Sequence, residues 1–112
     1  MTPDPIDIPV DIYDSATEFV VVMPLGGVEK SSVHLSLEQT KLTISGTRKK
    51  PPIKETLLSI TEECYRGTFT KQIDLPANSY FNNIHSELTT DNILFVIVPK
   101  VIIPEKIVVH IQ

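Results

Sequence analysis

Val33-His34-Leu35-Ser36-Leu37-Glu38 and, after Gln39-Thr40, Lys41-Leu42-Thr43-Ile44-Ser45-Gly46 decide the fold. In the first segment Val33, Leu35 and Leu37 alternate with His34, Ser36 and Glu38; in the second Leu42 and Ile44 alternate with Thr43 and Ser45. An extended chain sends successive side chains to opposite faces, so this period of two predicts strands with one buried face.

The rest of the chain repeats the pattern. Phe69, Ile73 and Leu75 belong to a further such segment, in imperfect phase, and β-branched residues abound, which suits a pleated surface. Breakers fall between the segments: Pro9, Pro24 with Gly26-Gly27, Gly46, Pro76 and Pro99. Strands are expected near residues 10–14, 17–23, 32–38, 41–46, 57–62, 67–75, 84–89 and 93–98. Turn signals at such spacing indicate an all-β sandwich or barrel. Thr89-Thr90-Asp91-Asn92 reads as a hairpin tip, because Asn tolerates a positive φ. Helix is expected only as a turn at 29–32 or 80–83. Residues 1–9, with three prolines, read as a short disordered arm, 10–100 as the domain and 101–112 as a C-terminal extension.

A chain of 112 residues fits one domain with a modest core, which oligomerisation would help to stabilise. The net charge of −4 argues against nucleic acid, whose phosphates demand clustered lysines and arginines. The basic run Arg48-Lys49-Lys50 is short and ends in Pro51-Pro52, as a solvated turn would. Membrane insertion is not expected, since the longest apolar runs, 19–23 and 93–98, are strand-sized against the ~20 residues a helix needs to cross a bilayer. The N-terminus has no charged region followed by an apolar one, and a lone Cys64 builds no disulfide framework; a reducing cytoplasm is the expected compartment.

No catalytic constellation is legible. His34, His85 and His110 have no metal-ligand spacing, Cys64 has no local His or Asp to activate it, and Ser31-Ser32 fits no nucleophile elbow. Glu62 and Glu63, adjacent on an extended chain, face opposite ways. The four glycines are too scattered for a phosphate loop. Binding rather than catalysis, with no cofactor, is the expectation.

Several segments, in order, resemble the α-crystallin domain of small heat-shock proteins. Val10-Asp11-Ile12-Tyr13-Asp14 resembles the opening strand, and Leu25-Gly26-Gly27-Val28 the Leu-Pro-Gly-Val turn with Gly26 in place of Pro. Leu42-Thr43-Ile44-Ser45-Gly46-Thr47-Arg48 is similar to Leu-Thr-Ile-Ser-Gly-x-Arg, and Gly67-Thr68-Phe69-Thr70-Lys71 to Gly-x-Phe-x-Arg, closed by Leu75-Pro76. Asp91-Asn92-Ile93-Leu94, followed by Val98-Pro99-Lys100, resembles the Asn-Gly-Val-Leu hairpin and its terminal Pro-Lys, with Asn92 for Gly. The set spans about residues 10–100 and is closest to the bacterial, archaeal and plant branch.

The resemblance implies an immunoglobulin-like β-sandwich of eight or nine strands with an extended strand-exchange loop. It also implies an ATP-independent holdase that binds partly unfolded clients and assembles with itself, a homodimer being the first expectation and higher oligomers the next. In that family the loop strand crosses to a neighbour, which here places Leu57, Leu58 and Ile60 against Val10, Asp11, Ile12 and Tyr13 of a second copy. Lys71 joins this interface in place of the family's arginine, and lysine lacks the planar fork that arginine offers a carboxylate. The family's groove maps to Leu35, Leu37, Ile84, Ser86 and Leu88, and receives an Ile-x-Ile/Val tail motif. Ile107-Val108-Val109 and the overlapping Val109-His110-Ile111 are the candidates, with Val101-Ile102-Ile103 a competitor. Only nine residues precede Val10, where the family carries a long arm, so small assemblies are expected whether this start is natural or a truncation. The other readings are a CS-domain-like co-chaperone, which would dock on a larger ATP-driven chaperone, and a structural scaffold subunit.

Overall fold

Seven strands carry the alternation seen in the sequence. The computed structural model describes residues 7–102 and 109–111. In chain order the strands are β1 (Asp11–Asp14), β2 (Glu18–Pro24), β3 (His34–Glu38), β4 (Lys41–Arg48), β5 (Gly67–Asp74), β6 (His85–Leu88) and β7 (Ile93–Pro99). They form two antiparallel sheets, ordered β1-β2-β7-β6 and β3-β4-β5. Both turns expected to be helical are short 3-10 pieces, Lys30–Ser32 and Phe81–Asn83.

The sheets enclose one core. Phe19, Val21, Met23, Leu94, Val96 and Val98 face inward from the larger sheet and meet Leu42, Ile44, Phe69 and Ile73 of the smaller. Every second residue of β2, β4 and β7 is buried, as period two requires. Each such aliphatic or aromatic side chain contributes about 1.5–3 kcal/mol relative to an exposed one, an upper figure since denatured chains are partly compact. Ile8, which the sequence reading places in the arm, is 2 % exposed and fills this core. Ile6, Ile8, Val10 and Ile12 alternate with Asp7, Pro9 and Asp11, but the prolines at 5 and 9 read as breakers, so the sequence reading starts the first strand only at Val10.

Positive φ angles mark the turns. Asn92 has φ 64° and its N–H donates to the Thr89 carbonyl at 3.0 Å, the hairpin tip expected there. Gly27 has φ 80° in the Leu25–Val28 turn, where the Val28 N–H donates to the Leu25 carbonyl at 3.0 Å. Gln39 takes φ 57° in the two-residue link between β3 and β4, a position where Gly or Asn is the usual signal.

Residues 57–62, expected as a strand, form none here. Arg48 pairs with Gly67 at the mouths of β4 and β5, so the intervening residues leave the sheet together. A strand exists only through a partner's backbone, and the described residues of this chain give 57–62 no such partner. Among the described residues the one backbone bond of this kind in that stretch is a turn, Leu57 N–H to the Lys54 carbonyl at 3.0 Å.

Gly46 faces Phe69 across β4 and β5, and a Cβ at Gly46 would lie 2.7 Å from Phe69 Cζ. Backbone holds one side of this contact and the fully buried ring the other. Gly46→Ala is therefore expected to destabilise by roughly 1–3 kcal/mol, the usual cost of overpacking. Thermal unfolding checks this, with a midpoint lowered by about 4–8 °C per kcal/mol for a domain of this size; an unchanged midpoint refutes the contact.

Candidate functional site

Open sheet edges are the first feature of the candidate site. Among the described residues β1 pairs only with β2, β6 only with β7, and β3 and β5 only with β4, so each of these four leaves a row of backbone donors and acceptors on its outer side. Such edges are templates for another strand.

Two of them, β3 and β6, belong to different sheets and flank a groove. Leu35, Ser36 and Leu37 of β3 line one wall, Ile84 and Ser86 the other, with Leu42 and Phe81 at its base. The cavity is about 240 Å³ and mostly apolar. Four of the five expected groove residues meet here. Leu88, opposite Leu94 and half-buried against the core as Leu35 and Ile84 also are, lies one step beyond Ser86 on the same face of β6 and does not line this cavity. Phe81 was missed. The signal for it was its place three residues before Ile84 in an expected turn, which brings both side chains to one side.

The second feature is the excursion between β4 and β5. Glu62 Oε1 accepts from Lys50 Nζ at 2.7 Å and from Arg66 Nη1 at 3.1 Å, which ties the two limbs together. The bonds from Lys50 first, then Arg66, hold the Glu62 carboxyl below the usual carboxylate range. The Arg48 guanidinium lies 4.0 Å from the centre of the Tyr65 ring, a cation–π contact one step closer to the sheet. Beyond this neck Leu57, Leu58 and Ile60 are 61 %, 89 % and 98 % exposed. They line an open concavity together with Ile53, Lys50 and Arg66.

The β1 edge presents Ile12 and Tyr13, both exposed, and Asp11, while Val10 packs half-buried against the core. No pairing joins β1 to residues 57–62 among the described residues of this chain. Lys71 pairs across the sheet with Ile44 and carries its ammonium outward to Asp7 Oδ1 at 3.0 Å. Its counter-ion in the single chain is thus its own N-terminal segment.

Beyond β7 the chain is pinned by Lys100 and Val101, whose N–H groups donate to the Thr17 and Asn78 carbonyls at 2.9 and 2.7 Å. Val109 and Ile111 are exposed, and neither lines the groove; Ile107 lies outside the described residues. Among the described residues no group of three or more His, Cys, Asp or Glu could hold a metal, and Cys64 is exposed. No helix among them is long and apolar enough to cross a membrane.

Comparison with known proteins agrees with this geometry. The family model described as "Hsp20/alpha crystallin family" matches residues 11–112. The 17.3 kDa class II heat shock protein of Solanum peruvianum is 31 % identical over 98 residues, covering 87 % of this chain and 63 % of that one. Small heat shock protein C4 of Rickettsia felis is 28 % identical over 90 residues, covering 80 % of this chain and 55 % of its own. The chain therefore spans somewhat over half the length of these curated relatives. Among solved structures, heat shock protein 16.0 of Schizosaccharomyces pombe superposes with a TM-score of 0.78 at 24 % identity, covering 96 % and 99 % of the two chains. A small heat-shock protein of Xylella fastidiosa gives 0.76 at 23 % identity, with the same coverage of 96 % and 99 %. With its sandwich, its open edges and a family match that runs over residues 11–112, the chain belongs to the Hsp20/alpha crystallin family.

Proposed function

We propose that the chain is an ATP-independent holdase that captures partly unfolded clients and assembles by lending and accepting strands. The observation that carries this reading is the apolar groove between two unpaired edge strands, β3 and β6. An extended segment laid there gains backbone hydrogen bonds from an edge, and its alternate side chains enter the cavity. Nothing in that capture needs a nucleotide, because exposed apolar surface and reversible exchange suffice.

In this reading the groove also receives the chain's own tail, Ile107 with Val109 or Val109 with Ile111. Six residues separate Lys100 from Ile107 and extend at most ~20 Å, which restricts the tail to a nearby groove, its own or a neighbour's. The exposed Leu57, Leu58 and Ile60 add a strand to the β1 edge of a second copy, beside Val10, Asp11, Ile12 and Tyr13. Three large apolar side chains held outward behind a pinned neck support exchange rather than folding back. Lys71, already paired with Asp7, takes part through its own chain's N-terminal segment.

Three outcomes follow. Heat-induced aggregation of a model client is suppressed by the chain without ATP, and Leu37→Ser in the groove weakens that suppression several-fold; no suppression at several-fold excess removes the holdase reading. Replacing Leu57, Leu58 and Ile60 together by Ser yields a monomer by light scattering where the unsubstituted chain is a dimer, and equal masses sink the exchange. Glu62 sets a pH limit on the neck. Its carboxyl is held below the usual range, so its contribution is full above the ordinary carboxylate pKa and is lost as pH falls through the lowered one. Hydrogen exchange in residues 50–62 should accelerate below that point, and Glu62→Gln should show the faster exchange already at neutral pH.

A further inference from the structure

The outer face of the β1-β2-β7-β6 sheet is apolar at its centre. Register places Val20 opposite Ile97 and Val22 opposite Phe95, with Ile93 next along β7, and all five are half-buried. Both central strands are thus apolar on both faces, as in sheets covered on both sides. The smaller sheet is the internal comparison. Its outer positions, from His34, Ser36 and Glu38 on β3 through the alternate residues of β4 to Thr68, Thr70 and Gln72 on β5, are polar throughout, the lining of a face that meets water. The outer face of the larger sheet is built differently, and water is a poor occupant for it.

Charge and size say what fits. The same register puts Asp11 and Tyr13 on the β1 side of the apolar block and Glu87 and His85 on the β6 side, with Glu18 at one end. Among the described residues no lysine or arginine has an outward position on these four strands. The block is two strands wide and about three residues long, roughly 5 by 13 Å at the usual strand spacing and rise. Five apolar side chains are few against the roughly 20–30 residues a side of a stable interface. A second copy, bringing the same acids, would set like charges against each other. The acidic rim likewise disfavours an anionic membrane surface.

We infer that the outer face of the β1-β2-β7-β6 sheet is a second client-binding surface, selective for short segments that carry apolar side chains flanked by lysine or arginine. It rests on the reading of the chain as a client-binding protein, and it lies on the opposite side of β6–β7 from the groove. Apolar contact with Val20, Val22, Phe95 and Ile97 supplies affinity, and Asp11, Glu18 and Glu87 choose the flanks.

The test uses a fluorescein-labelled peptide of four apolar residues flanked by paired lysines, and its isomer flanked by paired glutamates, read by polarisation. The lysine peptide binds more tightly, and its advantage shrinks as salt rises from about 0.05 to 0.5 M. Val22→Thr with Phe95→Thr weakens it about tenfold, since both side chains lose apolar contact, while Leu37→Ser in the groove leaves it within twofold of the unsubstituted chain. Should the double variant not fold, Asp11→Asn with Glu87→Gln serves instead, and must erase the preference for lysine flanks. Binding lost with Leu37→Ser but kept in the double variant assigns the peptide to the groove and overturns the proposal. So does a double variant whose sole change is a smaller mass by light scattering, which would make a second copy the occupant. If the peptide binds this face while the unsubstituted chain fails to suppress aggregation, the holdase reading falls and the surface stands.

Discussion

The pairing of β2 with β7 runs from Glu18 opposite Pro99 to Pro24 opposite Ile93, and everything else is placed by it. It lies at the centre of the larger sheet, sets which residues enter the core, and leaves β1 and β6 as the outer strands. A slip of one residue would exchange Val21, Met23 and Val96 for Val20, Val22 and Phe95, because a strand's two faces alternate. In most antiparallel sheets polar outer residues forbid that slip. Here both sets are apolar, so the hydrophobic pattern alone specifies the register weakly. The ends pin it instead. The Leu25 N–H donates to the Asn92 carbonyl at 2.7 Å at one end, and the Lys100 N–H to the Thr17 carbonyl at 2.9 Å at the other. The Lys100 ammonium adds a bond to the Ser15 carbonyl at 2.7 Å and an ion pair with Asp14, while only a tenth exposed.

That arrangement also leaves strand edges exposed. A sandwich of two separate sheets is not a closed barrel, so among the described residues four edges, β1, β6, β3 and β5, stay open. β3 and β6 come from different sheets and so cannot satisfy each other, and the gap between them is wide enough for side chains and too apolar to favour water. The same logic holds at β1, whose four residues are all exposed although its partner strand is deeply buried. Apolar exposure of this kind is an aggregation hazard in most proteins; in the holdase reading proposed above it is the means of recognition.

The strands were legible because period two is a local signal. Leu42, Ile44 and Gly46 reveal their inward face without reference to the rest of the chain, and Asn92 announces its own positive φ. The misses share a cause in long-range geometry. Ile8 is a core residue because the N-terminal segment reaches the sandwich, and Lys71 finds Asp7 across 64 positions of sequence. Gln39 takes a left-handed conformation because β3 and β4 must join in two residues, and that demand comes from their pairing rather than from glutamine. In each case tertiary geometry decided what propensity left open.

Residues 57–62 carry the clearest conflict between local and global signals. Their sequence has β character, but in one chain they have no strand, and Leu58 and Ile60 lie almost wholly in water. Consistency between levels is the mark of a foldable sequence, so such a disagreement asks which level is incomplete. The neck shows that the segment is not simply loose: Arg48 over Tyr65, and Glu62 between Lys50 and Arg66, hold both limbs where they leave the sheet. Ordering the neck in advance lowers the entropy to be lost when the tip later finds a backbone to pair with. These surface contacts are individually weak, so they bias the neck rather than lock it, which is what an arm that attaches and releases in the proposed exchange requires. In the proposed exchange the missing level is a second copy, whose β1 edge supplies the backbone that 57–62 lack in one chain.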